Sequence, residues 1–138
     1  MKKILIDTSA YSHLLQGNAD VLDALGRADL VYASVFVLGE LLTGFRGGSK
    51  QSANRELLER FLGRPTVRIL VATRETAEVF AEIRQALRQA GTPLPINDVW
   101  IAAHAIETGS VLVTFDSHFT RVNGLRLWDV IRKLSGCE

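Results

Sequence analysis

Lys3-Ile4-Leu5-Ile6-Asp7-Thr8-Ser9 opens the chain with a short apolar run, stops at a carboxylate, and passes at once to residues that start helices. A run this short without polar alternation predicts a strand buried on both faces, as in a parallel sheet. The same arrangement returns at Val111-Leu112-Val113-Thr114-Phe115-Asp116, where an aspartate again follows directly on a buried run. Short strands alternating with longer helical segments predict an α/β fold, a central parallel β-sheet flanked by α-helices.

Working outward, strands are expected over 3–6, 30–33, 67–71, 111–115 and 125–128. Helices are expected over 8–16, 19–28, 35–45, 52–62, 73–90 and 98–108. Thr8 or Ser9 is expected to cap the first helix, Ser34 the third and Asn97 the last. Gly47-Gly48, Gly91 and Gly109 stop helices, and Pro93 and Pro95 hold an extended loop. In the long helix, Ala77, Phe80, Ile83 and Leu87 are expected to face inward. Trp100 and Trp128 are read as core.

The chain has 138 residues, which suits one domain over 1–138. Hydrophobic residues make up 47% and charged residues 22%, the composition of a soluble globular protein. Cys137 is the only cysteine, so an internal disulfide and a cysteine-built zinc site are excluded. No segment has the length and apolarity of a membrane span, and Asp7 interrupts the first apolar run too early for a signal peptide. A cytoplasmic protein is expected. Net charge is only +1, yet residues 44–88 carry nine basic against five acidic side chains. A basic middle beside acidic ends can steer a polyanion toward a carboxylate site.

Ligands of parallel sheets bind outside the carboxyl ends of the strands. Asp7 and Asp116 both follow strands directly, so both point to that edge. Glu40 lies in Val35-Phe36-Val37-Leu38-Gly39-Glu40-Leu41-Leu42, a segment apolar enough to predict burial. A buried carboxylate needs a counter-charge, and no basic residue lies within a turn of it. Asp98 stands in the first turn of its helix, where the dipole favours an acid. Four converging acids with no adjacent lysine or arginine call for a hard cation, Mg²⁺ or Mn²⁺. Such an ion activates water against a phosphodiester. Thr8, Ser9, Asn97 and Thr114 flank the acids and are expected to hold them or their waters. His13, His104 and His118 are too scattered for a zinc site, and His104 reads as a core residue.

With these pieces in order, the chain resembles the PIN-domain ribonucleases, in particular the VapC-type toxins of bacterial and archaeal toxin–antitoxin pairs. The matching segments are Ile4 to Ser9, Ser34 through Gly39-Glu40-Leu41 to Gly44, Ile96 to Ala103, and Val113 to Phe119. The resemblance implies a PIN-like fold and Mg²⁺- or Mn²⁺-dependent endonucleolytic cleavage of RNA. It implies that Asp7, Glu40, Asp98 and Asp116 form the catalytic metal site. It further implies a homodimer and a cognate VapB-type antitoxin that blocks the site. Many relatives carry a further acid two residues after the last aspartate; here His118 stands there. A housekeeping PIN nuclease in RNA processing is an alternative. Another is a non-catalytic, Mg²⁺-binding receiver-like module, although Asp7 stands alone and no lysine follows the late strand.

Overall fold

The computed structural model describes residues 1–130; Cys137 lies outside the described residues. Five strands form one parallel sheet: β1 (Lys3–Ile6), β2 (Leu30–Ser34), β3 (Val67–Leu70), β4 (Val111–Val113) and β5 (Arg126–Leu127). Their order across the sheet is β3-β2-β1-β4-β5. The chain therefore builds outward from β1 in one direction and resumes on its other side with β4. That reversal opens a crevice between the carboxyl ends of β1 and β4, the place where α/β sheets take ligands.

The strand residues explain the layering. Ile4, Leu5, Ile6, Leu112 and Val113 are all buried, because both faces of the central strands are covered by helices. The helices are α1 (Thr8–Leu15), α2 (Ala19–Arg27), α3 (Val35–Phe45), α4 (Gln51–Leu62), α5 (Arg74–Ala90) and α6 (Ile96–Thr108). α6 is the most buried, with Val99, Ile101, Ala102, Ala103, His104 and Ala105 all in the core. Its alanines have little side chain to hold it away from its neighbours, so it lies close against them. It closes at Gly109, whose φ of 69° is the left-handed conformation a C-terminal cap requires. None of these helices is long and apolar enough to cross a membrane.

The structure corrects several expectations. Asp7, not Thr8 or Ser9, caps α1, its carboxylate accepting from Ala10 N at 2.9 Å. α6 begins two residues earlier than expected, with Pro95 at the cap position, so Asn97 lies inside the helix. Asn97 Nδ2 instead approaches the Phe36 carbonyl at 3.4 Å. Ala77 faces solvent, and the buried position of that turn is Thr76, whose hydroxyl donates to Glu107 at 2.7 Å. The long amphipathic stripe is thus one residue out of phase at its start. Ser34 does cap α3. A 3-10 helix over Ser117–Arg121, not foreseen, follows β4. Trp128 is buried as expected, and Trp100 is half-buried, stacked between Phe36 and Phe80 at centroid distances of 5.1 and 3.9 Å.

Burial gradients of this kind set mutational cost. Leu112 is fully buried on β4, between β1 and β5, whereas Leu57 on α4 is 42% exposed. Leu112→Ala is expected to lower the unfolding free energy by roughly 2–5 kcal/mol, through lost burial and the cavity left behind. Leu57→Ala should cost under about 1 kcal/mol by the same accounting. Urea unfolding of both variants measures the contrast.

Candidate metal and active site

Each acid reaches the crevice by a different route. Asp7 ends β1 and is 5% exposed. Its Oδ1 accepts from Ala10 N and from the Ser9 hydroxyl at 2.8 Å, and its Oδ2 accepts from the Thr114 hydroxyl. Thr114 stands just past β4, so this bond ties the ends of the two strands that flank the crevice. Ser9 Oγ also accepts from Phe115 N at 3.1 Å, and Thr114 Oγ1 from Asp116 N at 3.0 Å. Trp128 Nε1 donates to the Thr114 carbonyl at 2.7 Å and locks the same strand end from the far side. Ser9 and Thr114, which flank the acids in the sequence, both donate to the Asp7 carboxylate.

Asp116 caps the 3-10 helix and is the more open carboxylate, its side chain 45% exposed. Asp98 projects from the first turn of α6 and is 18% exposed at its side chain. Between them lies His118, with Nε2 2.9 Å from Asp98 Oδ2 and Nδ1 2.8 Å from Asp116 Oδ1. One ligand atom from each of Asp98, Asp116 and His118 falls within 4.8 Å of the others. Sequence reasoning set His118 aside as too distant from the other histidines. Its position two residues after Asp116 was the available signal, since the intervening turn carries it back over that carboxylate.

Glu40 departs from the burial that its apolar surroundings predict. It was expected to be buried, but it lies on the exposed face of α3. The apolar residues around it cover the core through Val37, a turn before it, and Leu41, the next residue, which turns to the buried side of the helix. The Thr8 hydroxyl donates to Glu40 Oε1 at 2.6 Å, which holds the carboxylate at the rim. Beside it runs an open depression lined by Val35, Phe36, Gly39, Thr43 and Asn97. Asn97 thus meets the site at its edge rather than as a helix cap.

The electrostatics link these groups. Burial, above all, pushes the Asp7 carboxyl above the ordinary aspartate range; bonds from Thr114, Ala10 and Ser9 offset part of this, and Asp116 adds to the rise. Asp98 is also raised, mainly by burial; His118 pulls it down while Glu40 and Asp116 push it up. The tight group is Asp98, Asp116 and His118, with Asp7 coupled to Asp116 and Glu40 to Asp98 through space. Among the described residues no lysine or arginine forms an ion pair with any of the four acids. Oxygen donors gathered at a sheet crevice without a fixed cation fit a divalent ion.

Comparisons with known proteins agree with this geometry. The family model described as PIN domain matches residues 4–125. Ribonuclease VapC2 of Rickettsia felis is 30% identical, the match covering 91% of this chain and 97% of that protein. The crystal structure of VapBC2 from Rickettsia felis, bound to a DNA fragment from their promoter, superposes with a TM-score of 0.80 at 27% identity, covering 91% of this chain and 97% of that one. DNA-bound VapBC from Salmonella typhimurium gives a TM-score of 0.83 at 25% identity, covering 93% and 98%.

The raised carboxyls make a signed prediction. A group that holds its proton more tightly in the fold than in the unfolded chain contributes stability below its unfolded pKa. That contribution is lost as the pH rises through the raised folded value. In EDTA, Asp98→Asn should therefore gain stability relative to wild type as the pH climbs from about 4 to about 7. Urea midpoints across this range measure the difference, and a difference independent of pH contradicts the assignment.

Proposed function

The chain belongs to the PIN-domain family, and on that premise we propose that it is a metal-dependent endoribonuclease, the VapC-type toxin of a toxin–antitoxin pair. The observation that carries the proposal is the set of Asp7, Glu40, Asp98 and Asp116 around the β1–β4 crevice, without a lysine or arginine partner among the described residues. Asp98 and Asp116 are proposed to hold Mg²⁺ or Mn²⁺, with Asp7 behind them. When bound, the ion supplies a Lewis acid for the scissile phosphate and a water of lowered pKa.

The chain's own groups then divide the work. Ser9, Thr114 and Ala10 N hold the Asp7 carboxylate in one orientation, so little reorganisation is needed when charge develops beside it. Glu40, exposed at the rim and held by Thr8, is the group proposed to accept a proton from the attacking water. The depression along α3 offers the RNA strand a bed leading to the acids. The basic excess over residues 44–88 favours its approach.

Similarity to VapBC structures supports a VapB-type protein partner. A groove for it would be sought first among the large apolar residues of α3 and α4. Leu41, Leu58 and Phe61 are instead core, and Leu42 and Phe45 pack against it. Among the exposed large apolar residues, Leu15 and Leu57 share a cleft between α1 and α4 that also holds Arg60 and Arg64. We place the antitoxin there. A homodimer and a cytoplasmic site of action complete the proposal; the first rests on the family resemblance and the second on the RNA substrate.

Purified protein should cut RNA with Mg²⁺ or Mn²⁺ and not in EDTA, and Asp7→Asn or Asp98→Asn should lower cutting by a hundredfold or more, the order expected when charge stabilisation is lost. Gel analysis of end-labelled RNA decides it: cutting undiminished in both variants refutes the assignment. Leu57→Glu, at an exposed position, should fold normally by circular dichroism and weaken antitoxin binding about tenfold or more. Unchanged affinity places the docking cleft elsewhere.

A further inference from the structure

His118 is the one site residue that the all-carboxylate pattern leaves unexplained. Its Nε2 is buried and makes no well-directed hydrogen bond, yet it lies 2.9 Å from Asp98 Oδ2. Nδ1 lies 2.8 Å from Asp116 Oδ1. A ring nitrogen lone pair and a carboxylate oxygen at such a distance repel each other unless a cation or a proton lies between them. An imidazole whose one nitrogen donates to a carboxylate while the other turns its lone pair inward is the usual bearing of a metal-binding histidine. The other two histidines lie outside the Asp98–Asp116 group. His13 Nδ1 lies 2.8 Å from the Ser9 carbonyl with its ring stacked on Phe115, and His104 lies in the core with Nδ1 2.8 Å from Ser34 Oγ.

We propose that His118 is a nitrogen ligand of the divalent ion, completing a site with Asp98 and Asp116 that prefers Mn²⁺ and other first-row transition metals to Mg²⁺. The inference rests on the metal-dependent nuclease reading above and sharpens it. Oxygen donors alone suit Mg²⁺, which dehydrates reluctantly and seldom takes nitrogen. An imidazole adds affinity for Mn²⁺, and more for ions further along the first row. The residue two places after Asp116 thus selects the ion rather than merely filling space.

The test is spectroscopic and needs no RNA. Mn²⁺ is titrated into the full chain, free and bound ion are counted by electron paramagnetic resonance, and Mg²⁺ is measured by competition. Electron spin echo envelope modulation then reports whether nitrogen is coordinated. Wild type should show nitrogen modulation from one imidazole, kept in His13→Gln and lost in both His118→Asp and His118→Gln. His118→Gln should bind Mn²⁺ about 10- to 100-fold more weakly, the usual effect of disturbing a metal's ligand environment. His118→Asp should bring the Mg²⁺ and Mn²⁺ affinities closer together. Mn²⁺ bound without nitrogen modulation in wild type overturns the inference and leaves the nuclease reading standing. Modulation that survives in both His118 variants overturns it equally. Failure of wild type to bind Mn²⁺ at all overturns the inference together with the metal-site reading.

Discussion

The bond from the Thr114 hydroxyl to the Asp7 carboxylate joins two strand ends that are remote in sequence and adjacent in the sheet. Much of the site hangs from it. Asp7 caps α1 through Ala10 N, so the direction in which α1 leaves the sheet depends on the same carboxylate. Thr114 in turn receives Asp116 N, and its carbonyl receives Trp128 Nε1, which sets where the chain goes after β4. A charged acceptor gains about 1.5–3 kcal/mol from a good hydrogen bond, but an acid buried this deeply also loses its hydration. Burial dominates, and the Asp7 carboxyl is left with a raised pKa. The fold thus holds an acid in an orientation that water would not maintain.

That imbalance spreads across the crevice. Asp98 is raised by burial and by Glu40 and Asp116, and the basic group that answers them is an imidazole rather than an ammonium or guanidinium. A lysine in the same place would be a permanent cation and would compete with any metal. Histidine can yield its proton position and offer a lone pair in exchange. The site is therefore compensated without being closed to a divalent ion. Glu40, out at the rim and tethered by Thr8, is the acid most available to solvent and to an incoming strand.

The surface separates these roles in space. The depression along α3 leads to Glu40, while the exposed leucines lie across the molecule's α1–α4 cleft beside two arginines. α1 connects the two regions directly: its first residues, Thr8 and Ser9, serve the acids, and Leu14 and Leu15 line the cleft. A protein seated in the cleft would bear on the helix that starts at Asp7, a physical route from partner to site.

The sequence by itself determined the parallel sheet, because strands buried on both faces read as unbroken apolar runs at Ile4–Ile6 and Val111–Val113. It also determined that Asp7 and Asp116 share an edge, since both directly follow parallel strands. Local reasoning misplaced what depends on neighbours far along the chain. Asn97 and Thr8 are good caps in isolation, but Pro95 and Asp7 took those positions, leaving the one against Phe36 and the other with Glu40. The burial of Glu40 could not be read from an apolar segment, because which face of α3 meets the core is set by its neighbours in the fold. Only the tertiary structure decided that His118 lies between Asp98 and Asp116. Asp98 and His118 are twenty positions apart, and the closeness of the two side chains follows from how α6 packs beside β4, not from any spacing along the sequence.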